Sequence, residues 1–482
     1  MLATTILGSG MAMLDSTVVN VALPRIGAEL GASVSGLQWI LDGYLLSLAS
    51  LILIAGALAD RYGRRRVFVV GVVWFGMASV LCAAAPTPGL LIAARIVQGI
   101  GGALLTPGSL AILQATFERS QRARAIGVWS GLGGIAAAIG PLVGGLLVQA
   151  WSWRLAFLVN VPVAVGCVWL ARRYVPESRD ERGQRRPGVL SSVLAAAGLA
   201  GITAALVEGP VRGAGDVLVV GAAVAGVLAF GAFVHRQLRS RNPLVPPVLF
   251  TERTFVLANG LTLAVYAGLG GVLMLLVLQL QVSLGYSPTA AGAAGLPITL
   301  LMLALSGRSG ALAQRIGPKA QLVLGPLLIA TGMLLLRRVE PGASYVGAVL
   351  PAVAVFGLGL ATVVAPVTST VLAAAPDRYA GVASGVNNAI ARTGSLLAVA
   401  LLPAVAGLTG TAYADPEALT AGWRTALLAA AGLAVLGALL ATGIRNDVLS
   451  RQSAAPPAER MHCGVDGPPN IPRNADSDVK GS

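Results

Sequence analysis

The chain has 482 residues, 56% of them hydrophobic and 11% charged, with a mean hydropathy of +0.79. Soluble domains carry about 25% charged residues, so a soluble globular protein is excluded. The formal charge of +14 raises nucleic acid as a partner, but the placement of the basic residues, described below, assigns them to membrane topology.

Apolar runs long enough to cross a bilayer recur along the chain, and we read fourteen helices. The first, 3–24, is apolar from Met1, lacks the basic n-region of a signal peptide and is followed by further spans. It reads as a retained helix, short enough to leave room for a cytoplasmic leader ahead of it. It carries Asp15 within "LDSTVVNVALP" (Leu14–Pro24). The second, 37–58, holds Trp39 and Asp42 and runs into "GALADRYGRRR" (Gly56–Arg66). In that loop Gly56 and Gly63 permit close packing and a tight turn, and Arg61, Arg64 and Arg65 hold the turn on one side. Asp60 is placed to pair with an arginine or to face a positive helix N-terminus. The third helix is 67–85. The fourth, 89–113, carries Arg95 in "ARIVQGIGGALLTPGS" (Ala94–Ser109). The fifth, 124–148, contains "GVWSGLGGIAAAIGPLVGG", with Gly127 and Gly131, then Gly140 and Gly144, spaced to lie on one face beside Pro141 and Gly145. Small residues let helices approach closely, and proline bends a helix where neighbours satisfy the freed carbonyl. The sixth, 154–171, opens on Trp153 and Arg154 in "WRLAFLVNVP" (Trp153–Pro162).

Helices at 189–207 and 216–234 follow, then 255–282, which holds Gln279 and Gln281, and 291–313, which runs into "GALAQRIGPK" (Gly310–Lys319). Next come 320–336, 345–372, 380–408 with Asn387 and Asn388, and 423–443, which again opens on Trp-Arg at Trp423 and Arg424. The tail from Ile444, rich in Pro, Asp, Asn and Ser, reads as disordered. An even count puts both termini on one side. The loops of that side carry Arg61, Arg64–Arg66, Arg119, Arg122, Arg124, Arg172, Arg173, Arg179, Arg182, Arg185, Arg186, Arg236, Arg239, Arg241, Arg253, Arg308, Arg315, Lys319 and Arg378. The loop excess of Lys and Arg places both termini in the cytoplasm.

The loop at Gly56 and the loop at Gly310 share a pattern, with Asp60 in the first where Gln314 stands in the second. The same offset relates "GVWSG" at Gly127 to "GVASG" at Gly381. The expected architecture is therefore an all-α membrane protein of two six-helix halves related in parallel, with two inserted helices between them, which is a transporter arrangement. The boundaries are 1–171, 172–254 for the inserted pair and its linkers, 255–443, and a tail 444–482.

"GALADRYGRRR" resembles the signature loop of the major facilitator superfamily. "LDSTVVNVALP", the fourth-helix motif, the fifth-helix glycine motif and "WRLAFLVNVP" are similar to those of its fourteen-helix drug/proton antiporters, and "WILDGYLLSLASLILIAGALADR" and "VEGP" to methylenomycin-resistance-type exporters. Ala136 stands where the antiporter motif usually has glycine. The resemblance implies a proton-driven efflux transporter in a bacterial inner membrane, working as a monomer on a small-molecule substrate and protons. It also implies that the fifth helix lies between the halves, where tight packing blocks leak.

Charges inside the spans are few: Asp15, Asp42, Arg95 and Arg392, with Asp60 at a helix end. Each such charge costs about 2.5–3.5 kcal/mol at a helix centre and is a functional candidate by default. No span contains histidine, so proton binding falls to Asp15 and Asp42. Arg95 is either a structural partner of Asp15 or part of the coupling. Trp39, one turn before Asp42, is either a cation contact or an interfacial belt residue. Asn387 and Asn388 either bind substrate or bond helix to helix, and Gln279 and Gln281 are weaker candidates. Cys82, Cys167 and Cys463 are too scattered for a disulfide framework or a metal site. No Gly-Lys-Ser/Thr nucleotide loop is present, no cofactor is called for, and no catalytic constellation marks an enzyme. An importer or a metabolite exporter on the same fold is the alternative, and a channel a weaker one.

Overall fold

The computed structural model describes residues 2–116, 139–178, 188–240, 243–376, 379–409 and 412–449, and every regular element among them is helical. In chain order these are α1 (Leu2–Leu30), α2 (Val34–Tyr62), α3 (Arg64–Ala84), α4 (Pro88–Thr116), α5 (Ile139–Ala150) and α6 (Leu155–Tyr174). Then come α7 (Val189–Arg212), α8 (Val217–Arg239), α9 (Arg253–Ser283), α10 (Pro288–Ile316), α11 (Lys319–Leu336), α12 (Tyr345–Ala374), α13 (Ala380–Val405) and α14 (Pro416–Thr442). Among the described residues, 12 helices are long and apolar enough to cross a membrane.

The helices extend past the expected spans because hydropathy marks only the part that fits the hydrocarbon, while the backbone continues helical into the interface. α1 runs on through Pro24, and Arg25, expected in a loop, pairs with Glu29 at 2.6 Å one turn further along. α7 continues to Arg212 and stops at Gly213, whose φ of 94° suits a residue without Cβ. α14 starts well before 423: Asp415 accepts from the Glu417 N–H at 3.0 Å, and Pro416 sits in the first turn, where its missing N–H costs nothing.

α2, α3 and α4 pack on one another with α1 and α6 against them; α11 packs on α12 and α14, and α9 on α13 and α14. α7 and α8 pair with each other, and α7 lies against both α2 and α13. Matching glycines make matching contacts. A Cβ on Gly71 of α3 would meet Leu104 and Leu105 of α4 at 2.8 Å, and one on Gly325 of α11 would meet Val363 of α12 at 2.7 Å. Both tryptophans that open a "WR" pair are fully buried.

The two signature loops fold alike. Gly63 and Gly317 turn the chain at φ of 108° and 86°, a region that favours glycine. After each turn a side chain from beyond the sixth helix of that group caps the new helix. Glu177 Oε1 accepts from the Arg65 N–H at 3.1 Å, and Asn446 Oδ1 accepts from the Lys319 N–H at 3.1 Å. Asn446 also donates to the Ile316 carbonyl, and Ile444 and Leu449 are buried. This corrects the expectation that disorder begins at Ile444. Residues 450–482 of the expected tail lie outside the described residues.

Candidate functional site

A polar network sits inside the first helix group. Arg95, on α4, donates from Nη1 to Asp15 Oδ2 on α1 at 2.6 Å and to Gln98 Oε1 at 2.5 Å, and from Nε to the Ile40 carbonyl of α2 at 3.0 Å. Asp15 Oδ1 accepts from Gln98 Nε2 and from Asn160 Nδ2 of α6, both at 2.8 Å. Gln98 also donates to Ser79 Oγ on α3 at 2.9 Å. The Arg95 guanidinium lies 4.3 Å from the centre of the Tyr44 ring. Asp15, Arg95, Gln98, Ser79 and Asn160 are each at most 1% exposed. Five helices thus meet on one ion pair, and the carboxylate accepts three hydrogen bonds. The spacing of Gln98 one turn after Arg95 signals its partnership. Asn160 lies in a quoted motif without having been singled out, and nothing in the sequence marks Ser79.

Removing one partner of a buried pair leaves an uncompensated charge and costs about 3–5 kcal/mol. Arg95→Gln is therefore expected to lower the melting temperature of the purified protein sharply, and Asp15→Asn combined with Arg95→Gln to recover much of that loss. An unchanged melting temperature in Arg95→Gln would remove the pair from any structural account.

Asp42 differs. It is fully buried, and neither carboxyl oxygen has a hydrogen-bond partner. Gln38 precedes it by four residues and so shares its face of α2. Gln38 Nε2 donates to the Val399 and Ala400 carbonyls of α13 at 2.7 and 3.0 Å. Asp42 therefore lies on the face of α2 turned toward α13, at the seam between the two helix groups. Trp39 donates to Glu208 of α7 at 3.1 Å, and Arg212 pairs with that same carboxylate at 3.1 Å. The indole N–H thus ties α2 to α7.

Other contacts close the seam at the end carrying the α1–α2 loop. Gln281 donates to the Val21 carbonyl at 3.0 Å, and the Tyr413 hydroxyl donates to the Ala32 carbonyl. Burial pushes the Tyr413 phenol above its usual value, so this donor keeps its proton at physiological pH. On α5, a Cβ at Gly145 would lie 2.6 Å from the Pro288 carbonyl oxygen, and one at Gly292 would strike the Pro141 carbonyl. Gly144 faces α1, where a Cβ would lie 2.8 Å from Val18 Cγ1, and Gly140 faces Thr17. Gly127 and Gly131 lie outside the described residues.

The remaining candidates separate. Gln279 donates to the Val339 carbonyl at 3.0 Å and to Thr420 at 2.9 Å, all within the second helix group. Asn387 donates to Asn259 at 3.1 Å and Thr262 at 2.9 Å, joining α13 to α9. Asn388 donates to its own helix at the Ser384 carbonyl. At the opposite end, Arg61 lies over the Tyr62 ring at 5.3 Å, Arg65 donates to the Val175 carbonyl at 3.1 Å, and Gly56 faces open space. The Asp60 side chain lies outside the described residues. Among the described residues no cluster of His, Cys, Asp or Glu is grouped to hold a metal ion.

Comparison with known proteins agrees with this architecture. The chain is 38% identical over 450 residues to the puromycin resistance protein pur8 of Streptomyces alboniger, covering 89% of this chain and 88% of that one. It is 35% identical over 412 residues to the methylenomycin A resistance protein of Bacillus subtilis, covering 85% and 87%. A solved D-xylose–proton symporter, 16% identical, superposes with a TM-score of 0.65 over 93% of this chain and 98% of that one, which shows the fold. The Major Facilitator Superfamily model matches residues 5–399, and with a helical bundle and related loops of this kind the chain belongs to that superfamily of transport proteins.

Proposed function

We propose that the chain is a proton-driven efflux transporter that exports small apolar or cationic drugs or antibiotics across the bacterial inner membrane by alternating access. The observation that carries the coupling is Asp42. A buried charge without a partner costs far more than a buried neutral polar group, so a carboxyl placed as Asp42 is suited to gain and lose a proton as the seam opens and closes. Its place one turn from the bonds that join α2 to α13 links that proton to the seam. Resistance proteins with 35–38% identity to this chain support a drug as the exported substrate.

In this reading fourteen helices span the membrane: the 12 long apolar helices, α2, and a fifth helix of which α5 is the described part. The units are 1–171 and 255–443, with 172–254 inserted, both termini in the cytoplasm and the protein a monomer. In this reading the closed end faces outward, on the side from which drug leaves. Asp15 and Arg95 hold the first unit together and take part in the coupling, and Trp39, Gln279, Asn387 and Asn388 border the substrate path. The test is the pH of everted membrane vesicles, acidified inside, on addition of puromycin or methylenomycin A. Drug-dependent loss of the gradient is expected; a gradient unmoved by both drugs in vesicles that contain the protein overturns the reading.

The loop from Gly56 to Arg65 acts as the gate on the cytoplasmic side, with Asp60 as its switchable charge. Asp60→Asn is expected to insert normally and to lose most drug-driven proton movement, whereas Gln314→Ala leaves it unchanged. Equal transport by both variants would reduce the loop to an anchor of topology. Arg392, half-buried on α13 with no ion pair among the described residues, favours a second reading in which the substrate is an anionic metabolite. Competition of drug export by organic anions, lost in Arg392→Gln, would select it.

A further inference from the structure

A groove of about 670 Å³ runs between α3 and α6 on the outside of the bundle. Gly76 and Ala164 form its floor, where a Cβ on the glycine would lie 3.1 Å from that of the alanine. The helices therefore touch at their small residues, and the larger side chains stand away on either side. Met77 of α3 and Val165 and Trp169 of α6 line the walls and are exposed on the bundle surface. The groove ends at Arg172 and Arg173. Acyl chains of the bilayer satisfy an apolar wall anywhere on a membrane protein, but that need does not place two guanidinium groups at its foot.

The dimensions fit one leaflet. From Val161 to Arg173, both in the lining, α6 rises about 18 Å, against about 15 Å for half the hydrocarbon core. The groove thus runs from the bilayer middle to the level of the phosphates on the side of the α2–α3 loop. Trp169 and Tyr174, in edge contact at 6.2 Å, are residue types that settle at this interface. Glu177, the acid described nearby, lies 3.8 Å from Arg65 and 3.7 Å from Arg66. Arg172 and Arg173 form no ion pair among the described residues, and Arg173 lies over the Tyr174 ring at 5.9 Å.

We propose that this groove binds one anionic glycerophospholipid of that leaflet, with an acyl chain along Gly76 and Ala164 and the phosphodiester held by Arg172 and Arg173. Guanidinium pairs with phosphate oxygens through two parallel N–H bonds, and basic pockets between membrane helices select anionic headgroups. The inference rests on the fold and holds whatever the exported substrate is.

The test places the full-length protein in phosphatidylethanolamine nanodiscs containing increasing amounts of phosphatidylglycerol with brominated acyl chains, and reads tryptophan fluorescence. Bromine quenches an indole it touches, and Trp169 stands in the wall. Quenching is expected to saturate at a low fraction of phosphatidylglycerol, and Trp169→Phe to remove the saturating part. Arg172→Gln with Arg173→Gln is expected to raise the half-saturating fraction by about tenfold or more. These substitutions alter exposed side chains and leave the core intact. Equal quenching by brominated phosphatidylethanolamine in the unaltered protein overturns the proposal, as does an unchanged half-saturation in the double variant. A second copy of the chain seated on the groove, read as a dimer mass that Trp169→Arg breaks, overturns it as well.

Discussion

Asp42→Asn is expected to reduce drug-driven proton movement in energised vesicles to the level of vesicles without the protein, while insertion and thermal stability are retained or improved. Both parts follow from one observation. The Asp42 carboxyl is buried and makes no hydrogen bond, so its replacement by an amide of the same size breaks no contact. Arginine keeps its proton throughout, which removes Arg95 and Arg392 as proton carriers; His235, expected in a loop, lies instead near the end of α8, exposed on a helix that packs on α7, and His462 lies outside the described residues. Asp15 is the other carboxyl, and it is already engaged by Arg95, Gln98 and Asn160. Two readouts separate function from folding: pH change on drug addition and melting of the purified protein. Unaltered proton exchange in a well-inserted Asp42→Asn protein would sink the carboxyl mechanism. A strongly destabilised variant would instead give Asp42 a structural role.

Gly144→Leu is expected to abolish coupled export, with Gly145→Leu close behind, because α5 is wedged between two neighbours. At Gly144 even a Cβ would come 2.8 Å from Val18 Cγ1 and 3.0 Å from its Cα. At Gly145 it would come 2.6 Å from the Thr289 Cα across the seam. Backbone atoms cannot turn aside as a flexible side chain can, so the helices must separate, and overpacking of this kind costs about 1–3 kcal/mol. The two substitutions differ in what they open. Gly144→Leu pushes α5 off α1 within one group, whereas Gly145→Leu pushes it off α10 and parts the groups. Uncoupled proton leak without drug is therefore expected in Gly145→Leu and is read as faster collapse of a preset pH gradient. Normal export by both variants would mean that close approach along α5 is not required.

Much of this was legible in the sequence because membrane helices announce themselves by length and apolarity, and because the loop pattern occurs twice. The duplicated turn glycines, Gly63 and Gly317, emerge at matching positions with matching backbone angles. The Asp15–Arg95 pair was readable as one of two alternatives, since a buried charge seeks a partner. What escaped were contacts between residues far apart in the chain. Nothing near Trp39 points to Glu208, which an inserted helix brings beside it, or near Gln38 to the backbone of α13. Glu177 and Asn446 were missed because each follows the last helix of its group, where hydropathy reads only linker or tail. The fifth-helix motif was legible as a place of close packing, but the direction in which each glycine faces was not.

The caps at Glu177 and Asn446 bear on how much chain each helix group needs to close its own bend. Each bundle fastens the turn between its second and third helices with a residue that follows its sixth. Without that fastener the tightest bend of each group would carry an open amide at the start of a helix. A helix group that closes its own bend therefore needs a short stretch past its last apolar residue. In the first group that stretch precedes α7, and in the second it follows α14.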